Sequence, residues 1–344
     1  MKQSPVFSLL SWYASVRRPL PWRQDLDPYH VAVSEIMLQQ TRIATVIPKY
    51  DAFMAAFPDW EALANADEAA VLKAWEGLGY YARAKNLQKA ARIVVDHYGG
   101  KMPASAKEIA SLPGFGPYTS ASIAAFCFGK KEVAVDGNLC RVYARLEAVA
   151  LSASSPTLKK RADAFFGGWL EEGDPGLTNE GLMELGETIC LPAGEPLCGT
   201  CPLSAYCQAH AEHNEQAYPL PKEKPHRHEE TFTVLLLEHE GQYALEQRPP
   251  HGLLASLFAF PMIRGKHDKK KLGELLANEG LAIVSLNYAG HDDFLFTHKT
   301  WHLDYYHVAL KERPQNYVFY DKAAIEKDLS VPTAFRFGKD FIAG

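Results

Sequence analysis

Two carboxylates and a cysteine quartet are the residues of this chain whose types and spacing could carry chemistry. Glu35 stands in the run SEIMLQQT, a turn after Val31 and a turn before Leu38. A carboxyl sharing a helical stripe with apolar side chains is desolvated, its pKa rises, and it can act as a general acid. On periodicity alone the position reads as a surface glutamate near Arg42. Asp136 precedes a helix expected over Gly137–Leu146 and is placed to be its N-cap. A carboxylate at the positive end of a helix dipole should stay ionised. One carboxyl kept protonated and another kept charged form the pair that acid–base chemistry requires; the plain reading of Asp136 is capping alone. Cys190, Cys198, Cys201 and Cys207 follow a C-x7-C-x2-C-x5-C spacing. Such a set can hold a tetrahedral zinc ion or an iron–sulfur cubane, and the spacing does not separate the two.

The stretch LPGFGPYTSASIAAFCFGKKEVAVDGN, Leu112 to Asn138, organises the elements that position these groups. Gly114 and Gly116 permit positive φ in a tight turn and let another backbone approach. Pro117 suits the first position of a helix, Thr119 to Phe128 can carry it, and Gly129 can stop it. Amides around the turn then face outward at a helix N-terminus, an anion site that a DNA phosphate would fit. By itself, the turn reads as an ordinary helix-loop-helix corner.

Asp27 and Pro28 are expected to cap and start the helix bearing Glu35. Helical stretches follow at Ile43–Phe57 and Trp60–Trp75. In GLGYYAR, Tyr80 and Tyr81 flank a glycine turn and either present aromatic faces to bases or plug the core. Arg83, Lys85, Lys89 and Arg92 then share one helical stretch and could face phosphate. Two more helices are expected at Thr157–Glu172 and Asn179–Ile189, with Cys127 and Cys140 as helix-core residues.

The chain has 344 residues, 47% hydrophobic and 22% charged, with a net charge of −5. Two soluble domains fit this length and composition. The acidic balance argues mildly against a broadly basic nucleic-acid surface. No apolar run approaches a membrane span and the N-terminus lacks a signal-peptide core, so a cytoplasmic protein is expected. Residues 218–228 read as a Pro-rich linker between a helical domain, 1–217, and an α+β domain, 229–344. In the latter, strands are expected at Thr231–Leu237, Gln242–Gln247, Phe294–Phe296 and Trp301–Leu310, and helices at Lys269–Asn278 and Lys322–Asp328.

LPGFGPYT followed by VDGN, with SEIMLQQT, GLGYYARAKNL and the four cysteines, resembles the MutY-type adenine DNA glycosylases of the helix-hairpin-helix, iron–sulfur base-excision superfamily. The resemblance covers almost the whole chain. It implies an all-α glycosylase domain followed by a Nudix-like domain, in which GLLASLFAFP matches the core motif and no REUxEExGU box occurs. It further implies that Glu35 is the catalytic acid, protonating adenine N7, and that Asp136 stabilises the resulting sugar cation or forms a transient adduct. Tyr118 and Asn138 would position Asp136 and the sugar. Arg18, Trp22, Arg23 and Glu184 would form the adenine pocket. Gln40 would enter the DNA stack, Tyr80 would sit at the damaged guanine, and Gly114 and Gly116 would hold phosphate. Phe296-Thr297-His298 falls where the family reads 8-oxoguanine with Phe-Ser-His. The family carries a [4Fe–4S] cluster at C-x6-C-x2-C-x5-C, so this chain has one extra residue in the first gap. Tyr118 replaces the lysine of strand-cleaving relatives, which implies a monofunctional enzyme. Its implied partner is duplex DNA with adenine opposite 8-oxoguanine or guanine, bound by a monomer. The competing readings are a thymine or uracil mismatch glycosylase, a catalytically silent damage-binding protein and a zinc-dependent adaptor.

Overall fold

The computed structural model of the chain describes residues 4–222 and 227–344, so part of the expected 218–228 linker lies outside the described residues. Two compact units emerge: Met1–Asn65 with Asn86–Glu223, and Ala66–Lys85 with Lys224–Gly344. No helix among the described residues is long and apolar enough to cross a membrane.

Up to residue 222 the regular elements are helices: α1 (Pro5–Val16), α2 (Pro28–Leu38), α3 (Ile43–Ala56), α4 (Trp60–Asn65), α5 (Glu68–Ala74), α6 (Ala82–Tyr98), α7 (Ala106–Ile109), α8 (Pro117–Phe128), α9 (Gly137–Leu146), α10 (Pro156–Trp169), α11 (Pro175–Thr188) and α12 (Gln208–Ala211). A capping side chain followed by proline starts α1, α2, α10 and α11, at Ser4, Asp27, Ser155 and Asp174. The cap satisfies an orphan amide, and proline at the first position forfeits no donor. α11 therefore begins at Pro175, not at the expected Asn179, by the same Asp-Pro signal that starts α2. The tract expected as one helix over Trp60–Trp75 is two, interrupted between Asn65 and Glu68.

In the first unit α2 is buried almost all round, from Tyr29 to Met37, so Glu35 lies in the interior. α11 packs on α1, α8 and α9. Gly186 of α11 allows the closest of these approaches, since a Cβ there would fall 2.6 Å from Asn138 Cβ.

The second unit is built on strands β1 (His228–His239), β2 (Gln242–Gln247), β3 (Phe258–Ala259), β4 (Met262–Arg264), β5 (Ile283–Leu295), β6 (Lys299–Leu310) and β7 (Val318–Tyr320), with α13 (Lys269–Asn278), α14 (Lys322–Lys327) and α15 (Arg336–Ala343). They form one seven-stranded sheet of order β3-β2-β1-β6-β5, with β4 also on β1 and β7 on β2. β1 and β6 run parallel, and β5 and β6 antiparallel. Alternation along β6 sends Trp301, Leu303 and Tyr305 to a core shared with Phe335 and Ile342. Tyr306, Val308 and Leu310 go to the other face, against Leu272 and Leu276 of α13. β5 is far longer than the expected Phe294–Phe296, and Phe296 lies beyond its end. Register shifts at Ile283/Ser285 and Tyr288/Gly290 break the two-residue period that would have revealed it.

Residues 66–85 join this unit through side chains. Lys73 Nζ donates to the carbonyls of Glu326 (2.6 Å) and Leu329 (3.0 Å), Lys339 Nζ donates to Glu76 (2.6 Å), and Lys85 Nζ donates to Ser256 (2.6 Å).

Candidate active site

Glu35 is 7% exposed and lies on the wall of a cavity of about 260 Å³ shared with Trp22, Arg23, Tyr118, Asp136 and Asn138. Burial pushes its pKa up to about 7. The Ser122 and Tyr118 hydroxyls and Arg23 oppose that rise, and the Asp136 charge adds to it. Neither hydroxyl completes a bond of good geometry, however, and Glu35 Oε2 is buried with no hydrogen-bond partner. A buried, unsatisfied carboxyl oxygen costs stability and is retained where a partner is meant to arrive. Tyr118, whose own pKa burial and the two carboxylates drive well above the ordinary phenol value, stays protonated as a donor.

Asp136 caps α9 as expected. Its Oδ1 accepts from the Leu139 amide at 2.8 Å and its Oδ2 from Asn138 Nδ2 at 2.9 Å. Asn138 Oδ1 accepts in turn from Arg141 Nη2 at 2.8 Å, which fixes the amide's orientation. The helix end expected to keep Asp136 ionised acts against its burial. Burial raises its pKa, and the Leu139 and Asn138 amides and the Arg141 charge only oppose that rise. Both carboxyls are thus shifted upward, and the donors around Asp136 distinguish the two.

Of the two turn glycines, only Gly114 needs its freedom. It has φ +85°, and a Cβ there would fall 2.9 Å from Asn86 Cβ. Gly116 is the N-cap of α8 in extended conformation, φ −74° and ψ 174°, with nothing within 4 Å of where a Cβ would stand. The space above the α8 N-terminus is open at Gly116.

Trp22 and Arg23 line the cavity, whereas Arg18 and Glu184 stand outside its lining. Glu184 is buried and accepts from Arg18 Nη2 (3.0 Å) and Arg23 Nη1 (3.2 Å). Its contacts make it a support for Arg23. Glu180, one turn earlier, lies 3.3 Å from Arg23 Nε, accepts from the Tyr13 hydroxyl at 2.8 Å and lines the cavity with Met183. Sequence reading missed both. Their spacing from Glu184 on α11 was the available signal.

The two tyrosines of the glycine turn divide the roles expected of them: Tyr81 is 6% exposed and Tyr80 52%. Tyr80 Oη lies 2.7 Å from Thr297 Oγ1. Arg83 does not face solvent, contrary to the phosphate reading. It donates to the Leu78 and Gly79 carbonyls at 2.8 and 3.2 Å and lies over the Trp75 and Tyr80 rings, so it braces the turn. Arg92 Nε donates to the Ala64 carbonyl and Lys85 pairs with Glu68; Lys89 is exposed. Phe296 packs on Phe294 and Trp301, leaving Thr297 and His298 exposed. Gln40 is exposed at φ +59°, and Tyr80 has φ +46°. Such conformations cost roughly 1–3 kcal/mol in a non-glycine residue and gather at functional sites.

Cys190 follows α11, and Cys198, Cys201 and Cys207 punctuate two single 3-10 turns. All four wall one cavity with Leu185, Leu203 and Arg145. Burial pushes the Cys198 and Cys201 thiols up to about 12 and about 11. Arg145, itself buried, donates to Cys190 Sγ at 3.1 Å, and Arg141 to the Cys190 carbonyl at 2.8 Å. Two buried guanidiniums whose acceptors here are carbonyls, Asn138 and a sulfur suit a donor set that becomes anionic on taking up metal. The tight donor grouping here joins only Cys198, with His210 and Glu215, within 4.8 Å. Four thiolates suit either one zinc ion or a polynuclear iron–sulfur cluster. The lengthened first gap is spanned by a loop closed by the Leu197 amide bond to the Ile189 carbonyl (2.9 Å).

Residues 33–164 match the family described as HhH-GPD superfamily base excision DNA repair protein, and residues 232–337 match the NUDIX domain family. The chain is 32% identical to the adenine DNA glycosylase of Homo sapiens, a match covering 88% of this chain and 66% of that protein. It is also 32% identical to the adenine DNA glycosylase of Buchnera aphidicola subsp. Baizongia pistaciae, over 87% of this chain and 83% of that protein. A solved thermostable thymine-DNA glycosylase superposes with a TM-score of 0.53 at 32% identity, covering 60% of this chain and 95% of that one.

Proposed function

The chain belongs to the adenine DNA glycosylase family, and we propose that it excises adenine opposite 8-oxoguanine or guanine in duplex DNA by hydrolysing the N-glycosidic bond. The observation that carries this reading is Glu35: a buried acid with a free oxygen in a cavity it shares with a capped, hydrogen-bonded aspartate. The thymine enzyme parallels 60% of the chain, whereas the human and Baizongia adenine enzymes match 88% and 87% of it.

The target bond is inaccessible inside the stack, and flipping the nucleotide costs a few kcal/mol, less at a mispair. With a pKa of about 7, Glu35 is substantially protonated at neutral pH and delivers its proton to adenine N7. Adenine then leaves as a neutral base. The sugar cation left behind is stabilised by Asp136, whose oxygens the Leu139 amide and Asn138 hold in place. Tyr118 and Arg23 confine the pocket, and water completes hydrolysis to an abasic site. Among the described residues no lysine lines the cavity, which supports a glycosylase without Schiff-base strand cleavage. Resolving the strands of an adenine:8-oxoguanine duplex with and without hot alkali tests the reading: nicks confined to the alkali-treated sample are expected, and nicking without alkali contradicts it.

DNA is held in part by the α8 N-terminus. Gly116→Ala should leave thermal unfolding nearly unchanged, because the site is open, yet weaken duplex binding about tenfold by obstructing one amide–phosphate contact. Equal affinity in a fluorescence-anisotropy titration would refute that contact.

The Tyr80 and Thr297 hydroxyls, already hydrogen-bonded to each other, form the reader of 8-oxoguanine with His298. Thr297→Val keeps the shape and removes the hydroxyl. It should lower the preference for 8-oxoguanine over guanine by about tenfold, with the adenine:guanine rate unchanged. Single-turnover rates on the two duplexes check this.

Cys190, Cys198, Cys201 and Cys207 would hold a [4Fe–4S] cluster. When bound, it supplies a rigid cross-link between the end of α11 and the following loop, as base hydrolysis transfers no electrons. Arg141 ties that loop to the site directly, donating to the Cys190 carbonyl, the Gly186 carbonyl and Asn138.

A further inference from the structure

His291 and Asp293 of β5 stand opposite Asp304 and His302 of β6, two successive cross-strand pairs on one face of the sheet. This is the face that carries Tyr306 and Val308 beneath α13, continued towards the β5–β6 turn. Asp293 Oδ1 lies 2.9 Å from His291 Nε2 and 2.7 Å from His302 Nδ1, and the three donor atoms fall within 4.8 Å of one another.

The hydrogen bonds on the far side of the cluster set its chemistry. Asp304 is buried, and His291 Nδ1 lies 2.9 Å from its Oδ1. Lys266 Nζ lies 3.3 Å from Asp304 Oδ2, and the Tyr288 hydroxyl donates to Oδ1 at 3.3 Å. A paired, ionised carboxylate only accepts, so His291 Nδ1 carries the proton and a neutral His291 turns its Nε2 lone pair towards Asp293 Oδ1. Two lone pairs at that distance repel unless a cation lies between them, either a second proton on the ring or a metal ion. On His302 the outer nitrogen, Nε2, has only the exposed Glu229 at 4.0 Å, an ion-pair distance and not a hydrogen bond, so His291 alone is oriented by a bonded carboxylate. A carboxylate behind a ligating imidazole is how proteins orient histidines towards metals.

We propose that His291, Asp293 and His302 form a binding site for a zinc-class divalent cation, which staples β5 to β6 behind the Phe296–His298 turn. Two imidazoles and one carboxylate suit zinc, cobalt or nickel over magnesium or calcium. Solvent completes the coordination on the exposed side. The inference is independent of the DNA reading.

The test is zinc titration by calorimetry on the full-length protein after mild chelation, comparing wild type with His291→Ala/His302→Ala and with Asp304→Asn. The four cysteines are identical in all three, so they cancel in the comparison. Wild type should bind one more zinc per chain than the double variant. Asp304→Asn should retain that site with affinity lowered by roughly 10–100-fold. Ring resonances of His291 and His302 in wild type should shift on zinc addition. Equal zinc uptake by wild type and the double variant, or histidine signals unmoved at saturation, would overturn the site and leave a protonated hydrogen-bond ladder.

Discussion

Glu35→Gln should abolish most adenine release, lowering the single-turnover rate by about 10²–10⁴-fold, the range of a lost general acid. The same substitution should stabilise the fold. Glu35 has a folded-state pKa near 7 against an ordinary 4.5, so the native state holds a proton that the unfolded chain gives up between those values. Stability from this group is therefore fully present below about pH 4.5 and is lost as pH rises through about 7, by roughly 3 kcal/mol. Glutamine keeps the shape, carries no charge and escapes that loss. Above neutrality the variant should denature at higher urea than wild type, and below pH 4.5 the two should converge. Lost activity with gained stability is the signature of a group kept for function, and a structural glutamate would show neither.

Asp136→Asn should cost about 10²–10³-fold in rate with little change in stability. Asparagine is as good an N-cap as aspartate, so the bond from the Leu139 amide survives while the charge disappears. Asp136→Ala removes both and should lose about 1 kcal/mol of stability as well. The pair separates electrostatic stabilisation of the sugar cation from capping, measured by quenched single turnover beside urea melts. Since the mechanism needs Asp136 ionised and Glu35 protonated, wild-type rate should fall on both sides of an optimum. The alkaline limb lies near 7, and the two carboxyls titrate as an interacting pair. In Asp136→Asn the alkaline limb should move downward, because the ionised Asp136 charge stabilises the Glu35 proton and asparagine removes it.

Much of this site was legible in the residues. Asp27-Pro28 announced α2, and Gly129 and Asp136 bounded the helices at the heart of the site, because caps and prolines act locally. Glu35 was another matter. Its periodicity permitted a surface position, and only α2 being enclosed on every side buries it. The burial of Asp136 was hidden for the same reason: an N-terminus is visible in sequence, but the depth at which it is buried is not. Arg83 looked like one of a row of phosphate-facing cations, yet two positive-φ glycines left carbonyls that it satisfies from within. Residues 66–85 grouped with the sheet unit through lysine–carbonyl and lysine–carboxylate bonds whose partners lie some 250 residues further along. No local pattern encodes such pairs. Arg145 and Arg141 behind the cysteines, and Glu180 behind Arg23, are likewise tertiary facts.

Glu35 as the proton donor to adenine is tested most directly by the pH dependence of single-turnover adenine release from an adenine:8-oxoguanine duplex in wild type and Glu35→Gln. Wild type should lose rate above pH 7 with a slope of one proton, and the variant should give a residual rate with no alkaline limb. A wild-type rate flat from pH 6 to 9, or a Glu35→Gln enzyme that keeps the wild-type rate and its pH profile, would contradict it.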